Sequence, residues 1–251
     1  MLLFLLLLCL VCFLCLFSPA STSELCFHSS CDGDFQTIQF PFRIENQQPK
    51  SCGYPGFDLT CPSTGQPLLH LPSSGDFTVQ YIDYENQEIL VNDPNKCLPR
   101  KILSLELSGS PFHGTNSEDF TFFNCSWSDP IPSEFNLNPI YCLSGLSYAV
   151  FASPSSFVNE ILSSSCVAMK TVSVPYSWSF STDLTNDLRL GWKKPNCRRC
   201  ESHGGICGLK PNSTDQIQCK HSAQPRHGML PLLPLPPFSA FNILQKNPPC
   251  K

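Results

Sequence analysis

Apolar and polar residues alternate along this chain in short bursts of period two. Over 37–44 the residues Ile38, Phe40, Phe42 and Ile44 fall on one face, the pattern of a strand buried on one side. Pro41 points to the other face and has no amide proton for a ladder, so this strand is expected at a sheet edge or a bulge. Residues 57–61, 66–71, 77–83, 88–91 and 120–123 read as further strands. Within 77–83, Val79 and Tyr81 are expected to share one face, with Gln80 and Ile82 on the other. Turns punctuate these bursts at Cys52-Gly53-Tyr54-Pro55-Gly56-Phe57 and at Asn92-Asp93-Pro94-Asn95. Beyond residue 128, 148–152 and 165–174 are strand-like, whereas 156–162 and 184–190 suit short helices. Up to Trp127 no stretch sustains a 3.6-residue period.

The two ends differ from this pattern. From Leu2 to Phe17 every residue is apolar, and Ser18-Pro19-Ala20 follows. That is a signal peptide spanning 1–20, a little short for a membrane span; a retained anchor is the alternative. Residues 221–251 hold Pro225, Pro231, Pro234, Pro236, Pro237, Pro248 and Pro249. Four prolines interrupt the apolar stretch 229–238, so the tail is expected to be extended or disordered rather than membrane-spanning.

Export changes the meaning of the cysteines. Removing Cys9, Cys12 and Cys15 with the leader leaves thirteen of the 16. Twelve of them, Cys26, Cys31, Cys52, Cys61, Cys97, Cys125, Cys142, Cys166, Cys197, Cys200, Cys207 and Cys219, fit six disulfides of open connectivity, and Cys250 stands alone. Each bridge contributes about 2–4 kcal/mol by restricting the unfolded chain. Cys197-x-x-Cys200 with Cys207 and Cys219 has the spacing of a zinc site or a redox pair. An oxidising compartment favours bridges instead, and no metal is expected. The 24 prolines, nearly double the ordinary share, exclude a helical bundle. The fold class is therefore mainly β and disulfide-rich. Two small cysteine-stapled extracellular modules are expected, 24–128 and 129–220, with six cysteines in each. A net charge of −4 argues against a nucleic-acid partner. No nucleophile elbow or marked carboxylate pair appears: Gly145-Leu146-Ser147-Tyr148 lacks the second glycine, so no catalytic residue is assigned and the chain as written is read as a non-enzyme. Asn124-Cys125-Ser126 and Asn212-Ser213-Thr214 are glycosylation sequons.

Cys26, Cys31, Ile38-Gln39-Phe40-Pro41-Phe42 and Cys52-Gly53-Tyr54-Pro55-Gly56-Phe57-Asp58-Leu59-Thr60-Cys61 together resemble the galacturonan-binding extracellular module of plant wall-associated receptor kinases. So does the run through Tyr81, Ile82, Ile89, Val91 and Cys97 to Phe122-Phe123-Asn124-Cys125-Ser126. Trp192, Cys197, Cys200, Ser202-x-Gly204-Gly205-x-Cys207-Gly208 and Cys219 resemble the cysteine-rich C-terminal module that follows it. The pairing also resembles the ectodomain of membrane-anchored RING-H2 finger proteins of the ATL type, which continue into a membrane helix and a RING with E3 ubiquitin ligase activity. The residues after Cys219 show neither of these.

The resemblance implies binding of pectin (galacturonan), an acidic cell-wall polysaccharide, outside the cell. A membrane enters only through a retained leader or a longer isoform. A polyanion with apolar sugar faces calls for bases and aromatic platforms. Arg43, Lys50, Lys96, Arg100 and Lys101 with Tyr54, Tyr81 and Tyr84 are the candidates in the first module. Over 24–101, however, ten acids face five bases, so the bases must cluster, or calcium must bridge acid to acid, or affinity is weak. No other cofactor is implied. From Asn186 to Lys220, seven bases face three acids, giving a second candidate surface. Two alternatives stay open: a fragment or splice form of a RING-H2 ubiquitin ligase, and a structural or protein-interaction ectodomain.

Overall fold

The period-two bursts become three sheets in a computed structural model that describes residues 26, 29–31, 35–128, 136–161, 166–175 and 181–221. The expected leader, the tail beyond 221 and Cys250 lie outside the described residues. The strands are β1 (Arg43–Ile44), β2 (Asp58–Thr60), β3 (Leu68–Leu71), β4 (Gly75–Asp83), β5 (Glu88–Asn92), β6 (Phe112–Gly114), β7 (Ser117–Ser126), β8 (Tyr148–Pro154), β9 (Cys166–Pro175), β10 (Leu188–Trp192), β11 (Gly205–Leu209) and β12 (Ile217–His221). Three short helices join them: α1 (Leu98–Ile102), α2 (Val158–Ile161) and α3 (Arg198–Glu201). The large sheet runs β1-β2-β3-β4-β5-β10-β6, the second β8-β7-β9, and β11 pairs with β12 as a hairpin. All pairings are antiparallel except β1 with β2.

The buried face of the large sheet packs against β7 and β8. Leu69, Leu71, Phe77, Val79, Ile89, Val91, Leu188 and Leu190 share one core with Phe120, Phe122, Val150 and Ala152. On the far side of β7, Phe123 and Cys125 join Ala149, Phe151 and Ile161 in a smaller core. An aromatic knot sits at the β6 end of the large sheet. The Phe42 ring meets Phe57 at 5.1 Å and Trp192 at 5.3 Å, and Phe57 meets Phe112 at 5.0 Å. Each buried ring removes enough apolar surface from water to stabilise the fold by about 1.5–3 kcal/mol.

Four expectations change. The 37–44 strand shrinks to β1, because the chain turns at 40–41, where the Phe42 amide bonds back to the Gln39 carbonyl at 3.0 Å. Ile38, Phe42 and Ile44 are still buried as the pattern implied, and β1 does lie at the edge. Residues 184–190 are no helix: Leu188, Leu190 and Trp192 alternate, and β10 is flanked on both sides by β5 and β6. Two ladders outweigh the weak local preference of so short a segment.

In β4 the register shifts between Val79 and Tyr81. Val79 and Ile82 are therefore the buried pair, and Gln80 and Tyr81 both face outward. The Gln36 side-chain amide closes the bulge, donating to the Ile82 carbonyl and accepting from the Ile82 amide, each at 2.8 Å.

The twelve cysteines do form six bridges, Cys26–Cys52, Cys31–Cys61, Cys97–Cys142, Cys125–Cys166, Cys197–Cys207 and Cys200–Cys219. The even count on each side of residue 128 does not reflect two closed modules, however. Two bridges cross that line, β10 completes the sheet built by 43–114, and β7 pairs with β8 and β9. The reason is that neither segment buries its apolar face alone.

Candidate functional site

The bases named from sequence divide into occupied and free. Arg43 is 6% exposed. Its Nε lies 2.6 Å from Asp58 Oδ1, its Nη1 donates to the Gln48 carbonyl at 3.1 Å, and its stem packs where a Cβ at Gly53 would meet it at 2.6 Å. Lys101 donates to the carbonyls of Ser74 (3.1 Å) and Asp76 (2.9 Å) and lies over the Phe77 ring. Arg100 donates to the Cys142 carbonyl at 3.0 Å, beside a bridge between the segments. Lys50 is exposed on the turn before Gly53, and Lys96 is exposed on the turn after β5. Of the tyrosines, Tyr54 packs edge-on against Phe40 and Phe57. The Tyr84 hydroxyl accepts from the Gln39 amide at 3.1 Å. Burial pushes its pKa far above the usual phenol range; that bond opposes the shift and the Glu201 charge adds to it. Glu201 is itself raised by desolvation. Tyr81 is the exception, 52% exposed on the bulge.

The outer face of the large sheet brings the free groups together. The registers place Thr78 beside Asn92, Tyr81 beside Leu90 and Arg189, and Glu88 beside Gly191 and His113. Thr78, Asn92, Leu90, Arg189 and Glu88 alternate with buried neighbours and so point away from the core, and the bulge turns Tyr81 to the same side. A cleft opens at each end of this face. The first, about 310 Å³, is lined by Asn86, Gln87, Glu88, His113, Thr115, Gly191, Trp192, Lys193, Asn196 and Arg198. Its floor is rigid: buried Gln87 donates to the Trp192 (3.2 Å) and Pro195 (3.0 Å) carbonyls, and the Trp192 amide donates to Gln87. Glu88 is held by Arg189 at 3.2 Å, so its charge is compensated. Lys193 is exposed, and Arg198, anchored by one Nη2 donor to the Asn86 carbonyl, retains further N–H groups.

The second cleft, about 340 Å³, is lined by Gln66, Thr78, Gln80, Asn92, Asp93, Pro94, Lys96, Leu98 and Thr185. The two clefts share β5, one at Glu88 and one at Asn92, and four strand residues span about 14 Å. Tyr81 stands between them. Sequence reasoning found Tyr81 and Lys96 and counted Lys193 and Arg198 into a basic stretch. It missed Asn86, Gln87, His113 and Asn196, because only the docking of β10 beside β5 brings them together. Among the described residues no His, Cys, Asp or Glu group is arranged to hold a metal, and no helix is long and apolar enough to cross a membrane.

Residues 26–93 match the wall-associated receptor kinase galacturonan-binding family, and residues 154–224 the wall-associated receptor kinase C-terminal family. The chain is 36% identical to the RING-H2 finger protein ATL22 of Arabidopsis thaliana, over 82% of this chain and 56% of that protein. It is 36% identical to the putative RING-H2 finger protein ATL21A of the same plant, over 80% of this chain and 55% of the relative. A leaf rust 10 disease-resistance locus receptor-like protein kinase-like protein is 31% identical over 74% of this chain and 31% of its own length. The chain thus spans about half the length of the RING-H2 relatives. No solved structure matches it. The chain pairs a segment of the wall-associated receptor kinase galacturonan-binding type with one of the C-terminal type, and over most of its length it is similar to RING-H2 finger proteins.

Proposed function

We propose that this chain binds acidic cell-wall polysaccharide, galacturonan above all, outside the cell, and that the outer face of the large sheet is the contact surface. The observation that carries the placement is the first cleft. Lys193 is exposed there and Arg198, anchored by one donor to the Asn86 carbonyl, keeps further N–H groups, beside the neutral donors Asn86 and Asn196; the only acid lining it is paired with Arg189. A uronate carboxylate in this cleft receives charge-assisted hydrogen bonds, and the exposed Tyr81 ring offers an apolar platform to the next sugar. The match of 26–93 to the galacturonan-binding family supports the ligand class.

Titration of the secreted chain with an oligogalacturonide tests this. K193A/R198A should weaken binding about tenfold or more, and higher salt should weaken the parent chain. Lys50→Ala, off this face, should leave affinity unchanged. Absence of binding by the parent chain at low salt overturns the proposal. A second reading makes the chain the extracellular part of a longer RING-H2 protein. The half-length coverage of its relatives supports it, and a transcript continuing into an apolar span and a RING would establish it.

A further inference from the structure

The two clefts on the outer face differ in charge. The first presents two cations, the exposed Lys193 and the remaining N–H groups of Arg198. In the second, the only cation is Lys96, and it is matched by Asp93 within the lining and by Asp187, which accepts from Asn92 Nδ2 at 2.6 Å. Asp93 is only 7% exposed; its Oδ2 accepts from the Cys97 amide at 3.0 Å, while Oδ1 has no hydrogen-bond donor. A second carboxylate placed here meets uncompensated negative charge. An uncharged polyhydroxyl does not.

The rest of the lining suits such a group. Gln66 Nε2 donates to Gln80 Oε1 at 2.9 Å, Gln80 Nε2 to Thr78 Oγ1 at 3.1 Å, and Thr78 Oγ1 to the Asn92 carbonyl at 3.0 Å. This chain of bonds orients a row of amides and a hydroxyl: Gln80 can still donate and accept, Gln66 Oε1 and Thr78 Oγ1 can still accept, and sugar hydroxyls do both.

We infer that the second cleft takes an uncharged sugar residue while the first takes a free uronate. The preferred ligand is then a galacturonan in which some carboxylates are capped as neutral esters. This rests on the outer face being the binding surface. The clefts lie about 14 Å apart along β5, so one polymer reaches both and a single sugar does not.

The test compares two galacturonan oligomers of equal length, one fully de-esterified and one about half methyl-esterified, by calorimetric titration of the whole secreted chain. The half-esterified oligomer should bind about three- to tenfold tighter. Gln80→Lys, which adds a cation at an exposed position of the second cleft, should reverse that order. K193A/R198A should weaken both. Equal or tighter binding of the de-esterified oligomer by the parent chain overturns this inference and leaves galacturonan binding standing. Failure of both oligomers to bind overturns galacturonan binding and the inference with it.

Discussion

Arg43 carries a full charge yet is no more available to a ligand than Phe42 beside it, because the Asp58 carboxylate, the Gln48 carbonyl and the Gly53 backbone enclose it. A count of bases along the sequence treats Arg43 and Lys193 alike; only their neighbours in space separate them. Arg43→Ala should therefore act on stability and not on binding. It removes a charge-assisted pair and leaves the half-exposed Asp58 carboxylate to water, a loss of about 1–3 kcal/mol. A lowered midpoint in thermal unfolding, with unchanged oligogalacturonide affinity of the folded protein, is the expected result. Reduced affinity at full stability would return Arg43 to the binding surface.

At the level of elements, the alternation read from sequence located β2 to β5 and β7 to β9 closely, since one buried face imposes period two. It misjudged β4, because a one-residue bulge is invisible in a pattern of apolar positions. The bulge also turned Tyr81 outward and made it a candidate platform. The pattern gave no sign of β6, β11 or β12. β6 has three residues, β11 holds two glycines in five, and β12 buries no residue fully, so none of them carries a period.

The same view separates the two sequons. Asn124 lies half-buried in β7, the middle strand of its sheet, with Val150 on one side and Val167 on the other, next to the Cys125–Cys166 bridge. Asn212 sits exposed in the turn between β11 and β12 at φ 58. Glycan is thus expected at Asn212 alone. Asn212→Gln should abolish the mobility shift on deglycosylation; persistence of the shift would place a glycan at Asn124.

For the molecule as a whole, the separation of its cysteines shows how the stretches before and after residue 128 are joined. Cys97–Cys142 and Cys125–Cys166 close spans of 45 and 41 residues, each restricting the unfolded chain by about 4 kcal/mol in the loop-entropy account. Trp192, from the later segment, fills the aromatic knot of the earlier one. A fragment of residues 24–128 should consequently show no cooperative thermal transition and should run as mixed disulfide oligomers without reductant, whereas residues 24–221 should run as a monomer. Cooperative unfolding of the short fragment would make it independent after all.

The seat of β10 between β5 and β6 also sets a timetable for synthesis. A ribosome delivers β5 roughly a hundred residues, and β6 roughly seventy-five, before the strand that joins them, several seconds or more at ordinary elongation rates. Throughout that wait the nascent chain carries an open sheet edge and unmatched thiols. Under the extracellular location proposed above, chaperone and disulfide-isomerase capacity, more than the strength of any finished contact, then governs the yield of folded protein.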